Sequence, residues 1–149
     1  MGYNDISKQK RKKEKIREKR KGNKLLKDKW KVLPKSSNSI TLKYDTACGN
    51  LYLILCFDND FDLLAIIPSL GKSGCCAHSQ LEGITRAISM GLQYGVPPEK
   101  YVEQLKDIKC PSRVSGEDGC FSCADAISIA INKFLKIKTV IKSNDLNNK

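Results

Sequence analysis

Cysteine is the residue type with most chemical reach in this 149-residue chain, which has seven. Four of them stand in separate, tightly specified stretches. Cys48 lies in Thr46-Ala47-Cys48-Gly49-Asn50-Leu51-Tyr52 and Cys76 in Gly71-Lys72-Ser73-Gly74-Cys75-Cys76-Ala77. Cys110 lies in Lys109-Cys110-Pro111 and Cys123 in Phe121-Ser122-Cys123-Ala124-Asp125-Ala126-Ile127. Thiolates returned to four loop-like points can be gathered at one place, and a tetrahedral set of four suits Zn²⁺, which would staple a small sheet to its helices. The four are scattered and form no paired Cys-x-x-Cys knuckles with one another. Spacing therefore leaves simple packing and redox chemistry open beside zinc.

The other reactive groups are fewer. Cys56 sits inside an apolar run and reads as core. Cys120-Phe121-Ser122-Cys123 is a Cys-x-x-Cys at a helix start, where terminal amides lower a thiol's pKa, so a small thiol oxidoreductase using Cys120 and Cys123 is an alternative. Glu117, Asp118 and Asp125 oppose that shift. His78 is the only histidine; two residues from Cys76 on a helix, the two side chains diverge, so a surface residue is expected. Gly71-Lys72-Ser73-Gly74 before a helix is a phosphate cradle in miniature but lacks the length of a P-loop. Arg86 can pair with Glu82 or Asp125.

The elements that would position these groups follow from periodicity. Ile40, Leu42 and Tyr44 alternate with polar residues as in a half-buried strand, Gly49-Asn50 turns, Leu51 to Phe57 is a second strand, and Phe61 to Ile67 a third after Asp58-Asn59-Asp60. Ala77, Leu81, Ile84, Ile88 and Leu92 form the stripe of a long helix ended by Gly95. Pro98, Tyr101, Val102, Leu105 and Ile108 build a shorter one. Ser122 and Asp125 form a Ser-x-x-Asp capping box for a last helix, whose buried face runs from Ala126 through Ala130 and Ile131 to Phe134 and Leu135.

Charge divides the chain. Residues 1–35 carry 15 Lys and Arg against 4 Asp and Glu, whereas residues 36–149 carry 12 of each, so the whole net charge of +11 lies in the N-terminal arm. Ile16 is its only apolar side chain between Ser7 and Lys24, which leaves no face to bury and predicts a solvated helix or a disordered arm. Leu25, Leu26, Trp30 and Val32 are candidates to dock its end. Lys8, Lys10, Arg11, Lys12, Lys13, Lys15, Arg17, Lys19, Arg20 and Lys21 would bind nucleic acid through phosphates, without reading bases. No apolar run approaches the ~20 residues needed to span a membrane. The cysteines without a secretory signal point to a reducing compartment, and a cytoplasmic location is expected.

Taken in order, these stretches resemble the TSCPD domain family, named for a Thr-Ser-Cys-Pro-Asp string that here reads Phe121-Ser122-Cys123-Ala124-Asp125. The likeness continues through Ala47-Cys48-Gly49-Asn50-Leu51-Tyr52, Gly71-Lys72-Ser73-Gly74, Ile84-Thr85-Arg86-Ala87-Ile88-Ser89, Gln93-Tyr94-Gly95-Val96-Pro97 and Gln104-Leu105-Lys106-Asp107-Ile108-Lys109-Cys110-Pro111, spanning Ile40 to Ile137. Ala124 replaces the proline at a first-turn position where either residue is tolerated. The resemblance implies a module like those at the C-terminal end of adenosylcobalamin-dependent ribonucleotide reductases, or a stand-alone relative. Its partners would be a ribonucleotide reductase or a nucleotide. Residues 36–149 cannot supply the radical-bearing barrel such an enzyme needs, so a non-catalytic accessory or binding module, stabilised by zinc, is expected. The architecture expected is α+β: a three-stranded antiparallel meander on two or three helices, with an arm at 1–35, the domain at 36–142 and a polar tail at 143–149.

Overall fold

The computed structural model describes residues 30–71, 75–112 and 120–147, the last four of these as backbone alone. Three strands, β1 (Asn38–Thr46), β2 (Gly49–Phe57) and β3 (Leu63–Leu70), form one antiparallel sheet in the order β1-β2-β3. Helices α1 (Cys76–Gln93), α2 (Pro98–Leu105) and α3 (Cys123–Asn147) follow. The α+β meander expected from the strand periodicities is the fold observed.

The sheet buries the odd-numbered residues of β2. Leu51, Leu53 and Leu55 are fully buried, and the register sets them beside Leu70, Pro68 and Ile66 of β3. Against them α3 presents Ala126, Ile127, Ala130, Ile131 and Phe134, and α1 presents Leu81, Ile88 and Leu92, completing one core. Burying side chains of this size contributes on the order of 1.5–3 kcal/mol each, so β2 and the first half of α3 anchor the domain.

The third strand begins two residues later than its apolar run. Asp58 Oδ1 accepts from the amides of Asp60 (3.0 Å) and Asp62 (2.8 Å), and Phe61 is held at a φ of 58°. That carboxylate-organised turn claims Phe61 and Asp62 for the hairpin. The α1 stripe also differs by one position: Thr85 is fully buried whereas Ile84 is 36% exposed. Thr85 Oγ1 donates to Leu81 O at 3.0 Å, so its hydroxyl enters the core already satisfied. Ile108 lies beyond α2 and is exposed. The α3 backbone continues to Asn147, five residues past the expected edge of the domain.

Two contacts fix the outer elements. Tyr101 of α2 sets its hydroxyl against Gly91 of α1, where an added Cβ would stand 1.8 Å from Oη. Residues 30–33 lie over the α1–α2 junction: Trp30 meets Tyr94 edge-on at 4.6 Å, and the Lys31 amide donates to Gln93 O at 2.9 Å. Lys31 Nζ and Lys138 Nζ grip the two oxygens of Asp62 at 2.7 and 2.8 Å. Val32, a docking candidate from its apolarity, is 74% exposed; Leu25, Leu26 and the rest of the arm lie outside the described residues.

Gly91→Ala is expected to destabilise the domain by about 1–3 kcal/mol through overpacking, with Tyr101→Phe in the same chain restoring part of the loss; denaturant melts of the three variants check this. A second expectation concerns pH. The Lys138 and Lys31 hydrogen bonds lower the Asp62 pKa from 3.8 to about 2. Its folded pKa lies below the unfolded value, so its contribution is present above pH ~4 and disappears as pH falls through ~2. The pair is solvent-exposed, so the amount is under ~1 kcal/mol. Asp62→Asn should therefore melt slightly lower than wild type at pH 6, and equally once acid has protonated Asp62.

Candidate functional site at the cysteine-rich end of the sheet

The β1–β2 turn, the stretch after α2 and the start of α3 meet at one end of the sheet. Thr46, Ala47, Cys48, Cys110, Ser112, Cys120, Phe121, Ser122 and Cys123 line a cleft there of about 10 Å³. That is close to the least volume that admits a single water, so the cleft, as the described residues bound it, suits an atom-sized guest.

Each wall has a local cause. The turn is Ala47-Cys48 and not the expected Gly49-Asn50, which pair with Thr46 and Asp45 as the start of β2; Thr46 Oγ1 donates to Gly49 O at 2.8 Å, and Gly49 has a φ of 119°, which favours glycine. Ser122 Oγ accepts the Asp125 amide at 3.1 Å, one half of the expected capping box. The other half is redirected. Asp125, 4% exposed, accepts the Phe121 amide on Oδ2 at 3.0 Å and the Asp107 amide on Oδ1 at 2.9 Å. Asp107 holds a φ of 63° just past the end of α2, so this buried carboxylate ties the end of one helix to the start of the next. The Cys110 amide donates to Phe121 O at 2.9 Å, laying the Cys110 segment beside the Cys-x-x-Cys, and Lys109 Nζ stands 5.7 Å over the Phe121 ring.

Three of the four candidate metal ligands are thus brought together. Cys48, Cys110 and Cys123 line the same cleft, and Cys48 and Cys110 act electrostatically on Cys123. Cys76 is exposed and does not line the cleft, although it opens α1 near the same end of the sheet, where Leu70 pairs with Leu51. Cys120, which the motif series omits, does line it: it is 2% exposed, with Sγ donating to Asp45 O at 3.7 Å. The only signal for it in the sequence was its place in Cys120-Phe121-Ser122-Cys123. Cys56 is buried, as expected of a core residue. Among the described residues no group of three or more His, Cys, Asp and Glu stands ready in the geometry of a metal site.

Burial raises the Cys123 thiol's pKa, and the neighbouring Cys48 and Cys110 add to it, with Thr46 acting in the opposite direction. Burial likewise raises Cys120, with Cys123 and Asp125 adding to it. Arg86 pairs with Glu82 along α1, not with Asp125. His78 is half-buried, and its Nδ1 is buried with no hydrogen-bond partner among the described residues, a departure from the surface residue expected. Residues 72–74 of the phosphate-cradle stretch lie outside the described residues, as do the ten arm residues from Lys8 to Lys21.

A family model for the TSCPD domain matches residues 7–135. The chain belongs to the TSCPD domain family. The match starts earlier than the likeness from Ile40 and takes in most of the basic arm. No curated protein and no solved structure matches the chain significantly. Membership fits the placement of the family's string: its serine caps α3, its cysteine faces the cleft, and its aspartate carries the amides of Phe121 and Asp107. Among the described residues no helix is long and apolar enough to cross a membrane.

Removing the Asp125 carboxylate takes the acceptor from two part-buried hydrogen bonds, and a lost bond to a charged group costs about 1.5–3 kcal/mol. Asp125→Ala should therefore lower stability by about 2–4 kcal/mol, with Asp125→Asn intermediate because its amide nitrogen cannot accept. Urea unfolding measures both; a loss for Asp125→Ala no larger than that of an exposed Asp60→Ala control would contradict the assigned role.

Proposed function

We propose that this TSCPD domain is a non-catalytic accessory or binding module of the ribonucleotide-reductase-related kind, held together by one structural zinc ion. The observation that carries the reading is the convergence of Cys48, Cys110 and Cys123, from three chain segments distant in sequence, on one atom-sized cleft. Four thiolates closing on Zn²⁺ would tie the β1–β2 turn, the segment after α2 and the α3 start into one unit. They would also relieve the mutual repulsion that helps hold Cys123 protonated. Cys76, at the start of α1, is the fourth ligand of this proposal; Cys120 is its competitor, being already in the cleft. A closed four-thiolate site has no open position for substrate, which agrees with a structural role.

Raised thiol pKa values count against the thiol-oxidoreductase reading, since attack requires thiolate. The basic arm supports a second property: phosphate contact with nucleic acid, insensitive to base sequence and steeply weakened by salt. Deleting residues 1–35 should abolish that binding in a filter or anisotropy assay.

Native mass spectrometry of protein purified without added metal is expected to show one zinc per chain. Cys48→Ser, Cys110→Ser and Cys123→Ser should each release it and lower the melting temperature. Cys76→Ser against Cys120→Ser identifies the fourth ligand. Metal-free wild-type protein whose melting does not change with chelator or with added zinc would overturn the proposal.

A further inference from the structure

The two edges of the sheet are finished differently. The β3 edge is closed: Pro68 removes one donor, and Ser89 Oγ of α1 accepts the Ile66 amide at 3.0 Å and lies 3.4 Å from the Ile66 carbonyl. β1, at the other edge, is nine residues long, pairs with β2 in unbroken register and contains neither proline nor bulge.

Ser89 also shows which way the β1 backbone points. Ile66 turns its N–H and C=O away from β2, so its partner Leu55 turns its own toward β1, where it pairs with Ile40. Ile40, Leu42 and Tyr44 therefore bond to β2, and Ser39, Thr41, Lys43 and Asp45 aim their amides and carbonyls at the open edge. The contact of Cys120 Sγ with Asp45 O is an independent check on this parity, and it caps the edge at that residue. Among the described residues nothing else pairs with the backbone of Ser39, Thr41 or Lys43 at this edge, and their side chains are exposed.

We propose that a second copy of this chain pairs with the open edge, antiparallel and two-fold symmetric about Thr41. This register sets Thr41 opposite Thr41, and Ser39 opposite Lys43, at both ends. It engages the amide and carbonyl of Ser39, Thr41 and Lys43 in each copy and leaves Asp45 with Cys120. On the core side it brings Ile40 against Leu42 of the other copy; both are only partly buried in the single chain. No like charges stand opposite one another, and the polar pairs are hydroxyl–hydroxyl and hydroxyl–ammonium, so the strand is complementary to itself. An exposed, regular edge strand is a template for such pairing.

Sedimentation velocity of the full chain over a concentration series should show a monomer–dimer equilibrium. Thr41→Lys, which places two ammonium groups face to face, should raise the dissociation constant several-fold. Thr41→Pro, which removes an amide aimed at the edge and not at β2, should do the same. Backbone exchange adds a readout by residue: the Ser39, Thr41 and Lys43 amides should gain protection with concentration, while those of Ile40 and Leu42 are protected throughout. Should Thr41→Pro fail to fold, Thr41→Lys at this exposed position decides. A monomer at every concentration, or a dimer that the folded variants leave unchanged, overturns the proposal.

Discussion

The buried Asp125 carboxylate is the interaction on which the rest of the cysteine-rich end depends. It joins α2 to α3 there: one oxygen accepts the amide just past the end of the first helix and the other the amide just before the start of the second. A carboxylate at a helix start is favoured by the exposed amides and by the helix dipole, and its two oxygens permit the double role that a serine or amide cap cannot fill. Asp107 in its left-handed conformation, Phe121 with its carbonyl on Cys110, and the placement of Cys120 and Cys123 all follow from that one ionised group. The aspartate in the family's name is in this chain an architectural residue.

What the sequence made legible was mostly what periodicity can encode. Alternation placed β1 and β2, and the Ser122–Asp125 spacing placed the α3 start, because these depend on local backbone preference and one buried face. The differences arise where a side chain does something its hydropathy does not record. Thr85 displaces Ile84 from the core because its hydroxyl is satisfied within its own helix. Phe61 is lost from β3 because Asp58 organises the turn. Val32 projects outward while Lys31 does the docking, since an ion pair and a backbone hydrogen bond outweigh one exposed valine. Among the cysteines, local motif identified three that meet. Cys120 lay outside the motif, and its presence in the cleft follows from the Asp125 tether, a long-range constraint with no mark in spacing.

The body and the arm are also electrically distinct. With the net charge confined to residues 1–35, residues 36–149 are neutral as a whole, and the ion pairs among the described residues serve local ends. Lys31, Asp62 and Lys138 form the clearest case: they join the described end of the arm to the hairpin and to α3. They are exposed enough that salt weakens them, so the hold of Lys31 on the hairpin and on α3 loosens as ionic strength rises.

The seal that Ser89 places on Ile66 has a consequence for how far any assembly could grow. A sheet with two free margins can add molecules indefinitely and run into fibres. Here the β3 margin is occupied at Ile66 by the protein's own helix and interrupted by Pro68, so the pairing proposed at β1 would be the one route among the described residues for regular strand addition. Association through it stops as soon as it is used once, giving a finite particle and no polymer. A lone hydroxyl on α1 thereby sets an upper limit on stoichiometry at the opposite side of the domain.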